Sequence, residues 1–90
     1  MKEAAKLFKV LSNEKRLGIL KLLTKHNELT VSDIADRVNL SIKATSKHTI
    51  MLYNAKILDR RQGKGTAYYS LNKPLNKFAH LALVAMKELA

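Results

Sequence analysis

The chain has 90 residues, with one proline, three glycines and 47% hydrophobic residues, a composition that argues for one compact domain and against a disordered or low-complexity chain. Seventeen Lys and Arg stand against seven Asp and Glu, and a net charge of +10 calls for a polyanionic partner, nucleic acid ahead of an acidic membrane surface. The absence of cysteine excludes disulfides, thiolate metal sites and cysteine nucleophiles, and no stretch approaches the roughly 18 apolar residues of a membrane span.

At the N-terminus, MKEAAKLFKVL mixes charge into apolar residues at helical spacing. It predicts a short helix rather than the continuous apolar core of a signal peptide, and a cytoplasmic location is expected. Ser12-Asn13 then supplies an N-cap for a helix carrying Leu17, Ile19, Leu20, Leu22 and Leu23. In LTVSDIADRVN, Thr30 serves as N-cap with Asp33 three residues on, and Ile34, Ala35 and Val38 are the buried positions. Asn39 tolerates the left-handed conformation that ends a helix, and Ser41 caps the next one, in LSIKATSKHTIMLYNAKIL. Two helices flanking so short a connection have helix-turn-helix spacing.

Beyond Leu58 the texture changes. ILDRRQ and TAYYSL alternate as strands around GKG, whose two glycines are expected to supply the positive φ angles of a hairpin loop. Tyr68 and Tyr69 fall on opposite faces, one for the core and one half exposed. Pro74 suits the first turn of a last helix, where Leu75, Phe78, Ala79, Ala82, Ala85, Met86 and Leu89 recur at helical spacing. The expected fold is mainly α with a β-hairpin wing (α+β): a winged helix-turn-helix of four helices, two strands and a closing helix, as a single domain over residues 1–90.

A helix fits the major groove of B-DNA, where lysines and short polar side chains approach base edges and phosphates. Ser41, Lys43, Ser46 and Lys47 form the candidate reading face. Ile42 and Leu52, with Ala55 and Met51, are expected to hold the other side against the core. His48 has two readings, a structural hydrogen bond inside the motif or a DNA contact. Arg60, Arg61 and Lys64 would lay the hairpin along flanking phosphates or the minor groove. Phe8, Leu11, Phe78, Leu81, Ala82, Ala85 and Leu89 leave the first and last helices more apolar than a monomer needs, so a two-fold homodimer presenting two reading helices is expected. No nucleophile-base pair, carboxylate pair or glycine-rich phosphate loop has catalytic spacing, so neither an enzyme nor a cofactor is expected.

From about Val10 to Leu71 the chain resembles the ArsR/SmtB group of winged-helix transcriptional regulators. LSNEKRLGILKLL is similar to that family's helix-opening segment, ELTVSDIADRVNLS to its first helix-turn-helix element, SKHTIMLYNAKIL to its recognition helix and DRRQGKGTAYYSL to its wing. The resemblance implies a homodimeric, sequence-specific DNA-binding regulator, expected to act as a repressor. Thr45 and Thr49 stand where the family carries aliphatic residues. Lys56 replaces a glycine, so the turn after the recognition helix is expected to differ. Thr30 and Ser32 lie where metal sensors carry cysteines, and His80 and Glu88 lack the companions of a last-helix zinc site, so no metal is expected. A protein-interaction module and an architectural DNA protein of low sequence preference are the alternatives.

Overall fold

The computed structural model describes residues 1–89. The elements in order are α1 (Lys2–Leu11), α2 (Glu14–Thr24), β1 (Leu29–Thr30), α3 (Val31–Val38), α4 (Ile42–Asn54), β2 (Leu58–Gln62), β3 (Ala67–Leu71) and α5 (Lys77–Leu89). The helices and the hairpin follow the expected order. The addition is β1, whose two residues pair antiparallel with β3, Leu29 opposite Tyr69 and Thr30 opposite Tyr68, giving a three-stranded sheet of order β1-β3-β2.

From α2 onward each helix start rests on a side-chain oxygen taking up a backbone N–H that has no partner within the helix, whereas α1 follows Met1 without a side-chain cap. The Asn13 side chain accepts from the Arg16 N–H at 3.1 Å, Thr30 Oγ1 from Asp33 at 3.1 Å, and Ser41 Oγ from Ala44 at 3.1 Å. At α5 the same work falls to Asn76, whose Oδ1 accepts from Phe78 at 2.9 Å and Ala79 at 3.3 Å. That cap starts α5 at Lys77 and leaves Pro74 ahead of it, which corrects its placement in the first turn.

The core gathers Leu11, Ile19, Leu20, Leu23, Leu29, Ile34, Leu52, Ile57, Leu58, Tyr69 and Ala79 from every helix and strand of the fold. Burying one such large aliphatic side chain contributes about 1.5–3 kcal/mol. From α4 the fully buried residues are Thr45, Thr49 and Leu52, spaced i, i+4, i+7 along one stripe. Two residues expected to pack against the core are exposed instead. Met51 is 45% exposed, because one position from Leu52 is 100° around the helix, and Ile42, in the first turn, is 54% exposed. The threonines occupy core positions, with different outcomes for their hydroxyls. Thr49 Oγ1 donates to the Ser46 carbonyl at 3.1 Å, whereas Thr45 Oγ1 is buried without a partner among the described residues.

Asn39 ends α3 at φ 58°, ψ 51°, as its residue type predicts, with the Leu40 N–H bonded to the Ala35 carbonyl at 3.1 Å. Lys56 performs the same reversal after α4, at φ 61°, so the turn expected to differ is left-handed after all. It is held in place by Asn72. That residue's Nδ2 donates to the Lys56 carbonyl at 2.7 Å and its N–H to the Ile57 carbonyl at 3.0 Å. In the hairpin loop only Gly65 has a positive φ, 72°. Gly63 is required for space instead, since a Cβ there would stand 2.6 Å from the Tyr68 ring.

Candidate nucleic-acid interface

The three-residue connection from Asn39 to Ser41 sets α4 beside α3 and turns one flank of α4 away from the core. On that flank Lys43 and Lys47 are exposed and Ser46 is half buried. A helix advances 100° per residue, so both lysines lie roughly opposite the stripe of Thr45, Thr49 and Leu52. Ser41 is exposed at the tip, its hydroxyl oxygen already engaged as the cap.

His48 is half buried between the two flanks and faces Arg16. Arg16 is only 8% exposed, although it sits in the first turn of α2. Its Nε donates to the Val10 carbonyl at 2.5 Å, Nη2 to the Lys9 carbonyl at 3.3 Å, and Nη1 approaches His48 Nδ1 at 3.2 Å and Met51 Sδ at 3.3 Å. One guanidinium therefore ties the end of α1 and the start of α2 to the middle of α4. Burial pushes the His48 imidazole below its ordinary pKa of 6.5, and the Arg16 charge pushes the same way. Sequence reasoning missed Arg16 as a tie. The signal was its position: the first turn of a helix favours anions, so an arginine there needs another reason.

The wing divides its cations. Consecutive strand residues point to opposite faces. Arg60 lies on the Leu58 and Tyr69 side and donates to Gln62 Oε1 at 3.0 Å. Arg61 lies on the other, stacked over the Tyr68 ring at 4.3 Å and bound by both its Nη2 and Nε to the Glu28 carboxylate, at 2.7 and 3.3 Å. That contact holds the Glu28 carboxyl below its ordinary pKa and raises that of Arg61. Glu28 was not singled out from the sequence. Lys64 is exposed at the loop, so Arg60 and Lys64 carry the wing's charge without an anionic partner among the described residues. Tyr69 is buried and Tyr68 half buried, as the alternation predicts.

The paired helices α1 and α5 expose several apolar side chains. Phe8 is 60% exposed, Leu81 61%, Val84 45% and Leu89 86%. Ala85 is exposed on the same stretch, Ala82 is half buried, and half-buried Phe78 meets Phe8 edge-on with ring centroids 5.6 Å apart. Leu11 is a correction: at 8% exposure its side chain belongs to the protomer's own core and offers no surface to a second copy. Val84 takes a place on this face that the sequence reading left empty. Among the described residues no group of three or more His, Asp or Glu is placed to hold a metal ion, and no helix is long and apolar enough to cross a membrane.

A capped polar helix after a three-residue turn, followed by a basic hairpin, defines a winged helix-turn-helix protein. The family profile described as winged helix-turn-helix DNA-binding matches residues 12–52, from the cap of α2 to near the end of α4. The chain belongs to the ArsR family of these proteins. It is 41% identical over 63 residues to the arsenical resistance operon repressor of Escherichia coli K12, covering 69% of this chain and 54% of that protein. It is 40% identical over 67 residues to the transcriptional repressor SdpR of Bacillus subtilis, covering 73% of this chain and 72% of that protein. The solution structure of the homodimeric winged helix-turn-helix domain of Mb0332 from Mycobacterium bovis, a possible ArsR-family regulator, superposes with a TM-score of 0.82 at 25% identity, over 97% of this chain and 81% of that one. The chain thus spans about half the length of the E. coli repressor.

Proposed function

We propose that this protein is a homodimeric, sequence-specific DNA-binding transcriptional repressor, acting in the cytoplasm as a binding protein rather than an enzyme. The observation that carries the reading is the flank of α4 opposite its buried stripe, where Lys43 and Lys47 are exposed beside Ser46. Base contacts would come from Ser41, Lys43, Ser46 and Lys47, and phosphate contacts from Arg60, Lys64 and, less freely, Arg61. His48 acts inside the motif by positioning α4. Self-association would use Phe8, Phe78, Leu81, Ala82, Ala85 and Leu89, joined by Val84, and the homodimeric relative supports it. Thr30 and Ser32 stand where the resemblance places the cysteines of metal sensors, and this reading includes no thiolate metal site.

The test is selection from a pool of random duplexes followed by affinity measurement on the enriched sequence and on unselected DNA. A specificity ratio of about a thousand or more at physiological salt is expected. Affinity without such a ratio would make the protein an architectural DNA binder. No affinity at all would leave α4 and the wing as a protein-interaction surface.

A further inference from the structure

Ile42 is the first residue of α4 and is 54% exposed, and Ile50, two turns on, is 48% exposed. Single exposed aliphatics are ordinary on protein surfaces. These two are not scattered. Residues four apart stand above one another on a helix, so Ile42, Ser46 and Ile50 form one ridge, and Lys43 and Lys47 form the ridge beside it. Two exposed isoleucines thereby stand either side of Ser46 next to lysines whose charge selects a polyanion, and Ile42 is at the N-terminal end of the helix, the part of a recognition helix that reaches base edges.

Resting on the DNA-binding reading above, we propose that Ile42 reads the C5-methyl group of thymine in the major groove. Among the four base pairs the major groove offers donors, acceptors and a single kind of methyl group, that of thymine, and an aliphatic side chain has no hydrogen bond to make with the rest. Covering Ile42 with a methyl removes apolar surface from water on both partners. Covering it with cytosine N4 or guanine O6 would strip a polar group of water and return no hydrogen bond. The lysine ridge brings hydrogen-bond donors to base edges and phosphates, and Ile42 adds a preference for a methyl-bearing base edge that no donor can supply. The specificity is therefore for a thymine at the base facing the start of α4, once in each half-site of a two-fold operator.

The experiment uses the full chain and the duplex enriched from the random pool. Deoxyuridine replaces each thymine in turn, which removes the methyl and leaves the hydrogen-bonding edge intact. At one position per half-site the wild-type protein should bind about three- to five-fold more weakly, the worth of one buried methyl group. Ile42→Ala, which removes the contact from both half-sites of the dimer, should lose affinity for the thymine duplex by about the square of that factor, roughly ten- to twenty-five-fold, keep its affinity for random DNA, and be indifferent to deoxyuridine at that position. Thermal melting checks that this exposed substitution leaves the fold intact. The proposal is overturned if no deoxyuridine weakens the wild type, or if the substitution weakens wild type and Ile42→Ala alike, because the methyl would then be sensed by another residue or through DNA shape. If the pool yields no enriched duplex, sequence reading itself fails and takes this inference with it, an outcome separate from an operator that is bound without regard to methyl groups.

Discussion

His48 Nδ1 lies 3.2 Å from Arg16 Nη1, a contact that joins α4 to the first turn of α2. A guanidinium only donates, so Nδ1 must be the bare acceptor and the imidazole neutral, with its proton on Nε2. Charging the ring would place two cations in contact in a half-buried site.

The consequence is a stability that depends on pH through this residue. In the unfolded chain His48 takes up a proton near pH 6.5, while in the fold burial and Arg16 hold its pKa lower. Between the two values the unfolded state binds more protons. The stabilisation is therefore complete above about pH 6.5, is lost as the pH falls below it, and stops changing once the folded imidazole titrates. His48→Asn keeps an acceptor for Arg16 and cannot be charged. The fall in Tm between about pH 7.5 and about pH 5 should be smaller in the variant than in the wild type. An equal fall in both would remove His48 from the account.

Thr45 offers a second change with a definite sign. Its hydroxyl is buried without a partner among the described residues, and an unsatisfied buried polar group costs about 1–3 kcal/mol. Thr45→Val fills the same space without it. The variant should be more stable by about 1 kcal/mol, a rise in Tm of roughly 4–8 °C for a domain of this size. Thr49→Val is the control, because it surrenders the hydroxyl's bond to the Ser46 carbonyl along with the hydroxyl. It should gain less than Thr45→Val, and the reverse order in thermal melts would contradict the assignment of hydroxyl partners.

The residues that sequence reasoning placed well are those whose chemistry is local. Asn13, Thr30, Asn39 and Ser41 cap or end helices through atoms within a few residues of themselves, and all four do so in the structure. What escaped depends on tertiary surroundings. β1 is two residues long and exists by pairing with β3. Ile42 and Met51 were assigned to the core for being apolar, yet the stripe that meets the core is defined by neighbouring elements and takes the two threonines in their stead. Lys56 has a residue type that opposes a left-handed turn by about 1 kcal/mol. Two hydrogen bonds from Asn72, sixteen residues away, hold the turn anyway. Arg61 was counted with Arg60, although consecutive strand residues must separate, and its partner Glu28 is 33 positions away.

The apolar face of α1 and α5 predicts the outcome of one charge. Leu81 is 61% exposed, so Leu81→Asp leaves the protomer core untouched, whereas Phe78→Asp would also break the contact with Phe8. In a dimer closed over this face the aspartate would be buried without a partner. Sedimentation should show a folded monomer for Leu81→Asp with weakened DNA binding, against a dimer for the wild type at micromolar concentration. A variant that still sediments as a dimer would move the interface elsewhere.

Helix and wing should fail differently when their side chains are removed, since base contacts specify and phosphate contacts position. Lys47→Ala or Ser46→Ala should cost more on the operator than on random DNA. A base contact is worth about 1–3 kcal/mol of discrimination, so the specificity ratio should shrink roughly five-fold or more. Lys64→Ala should weaken binding to both duplexes alike and make the slope of log K against log salt shallower by about 0.9 for each phosphate no longer neutralised, a change the dimer doubles. Arg61→Ala should do less than Lys64→Ala, because the Glu28 carboxylate already occupies the guanidinium. Glu28→Gln reverses that restraint: it removes a negative charge beside the wing, frees Arg61 for phosphate, and should strengthen binding to both duplexes with a steeper salt slope. The pair is exposed and contributes little to folding, so the Glu28→Gln protein should melt close to the wild-type temperature. Salt titrations of the five variants on both duplexes decide the matter. If the helix variants lose affinity uniformly while the wing variants lose specificity, the two elements have exchanged roles, and if Glu28→Gln binds no better than wild type, Arg61 stays on Tyr68 and never reaches the backbone.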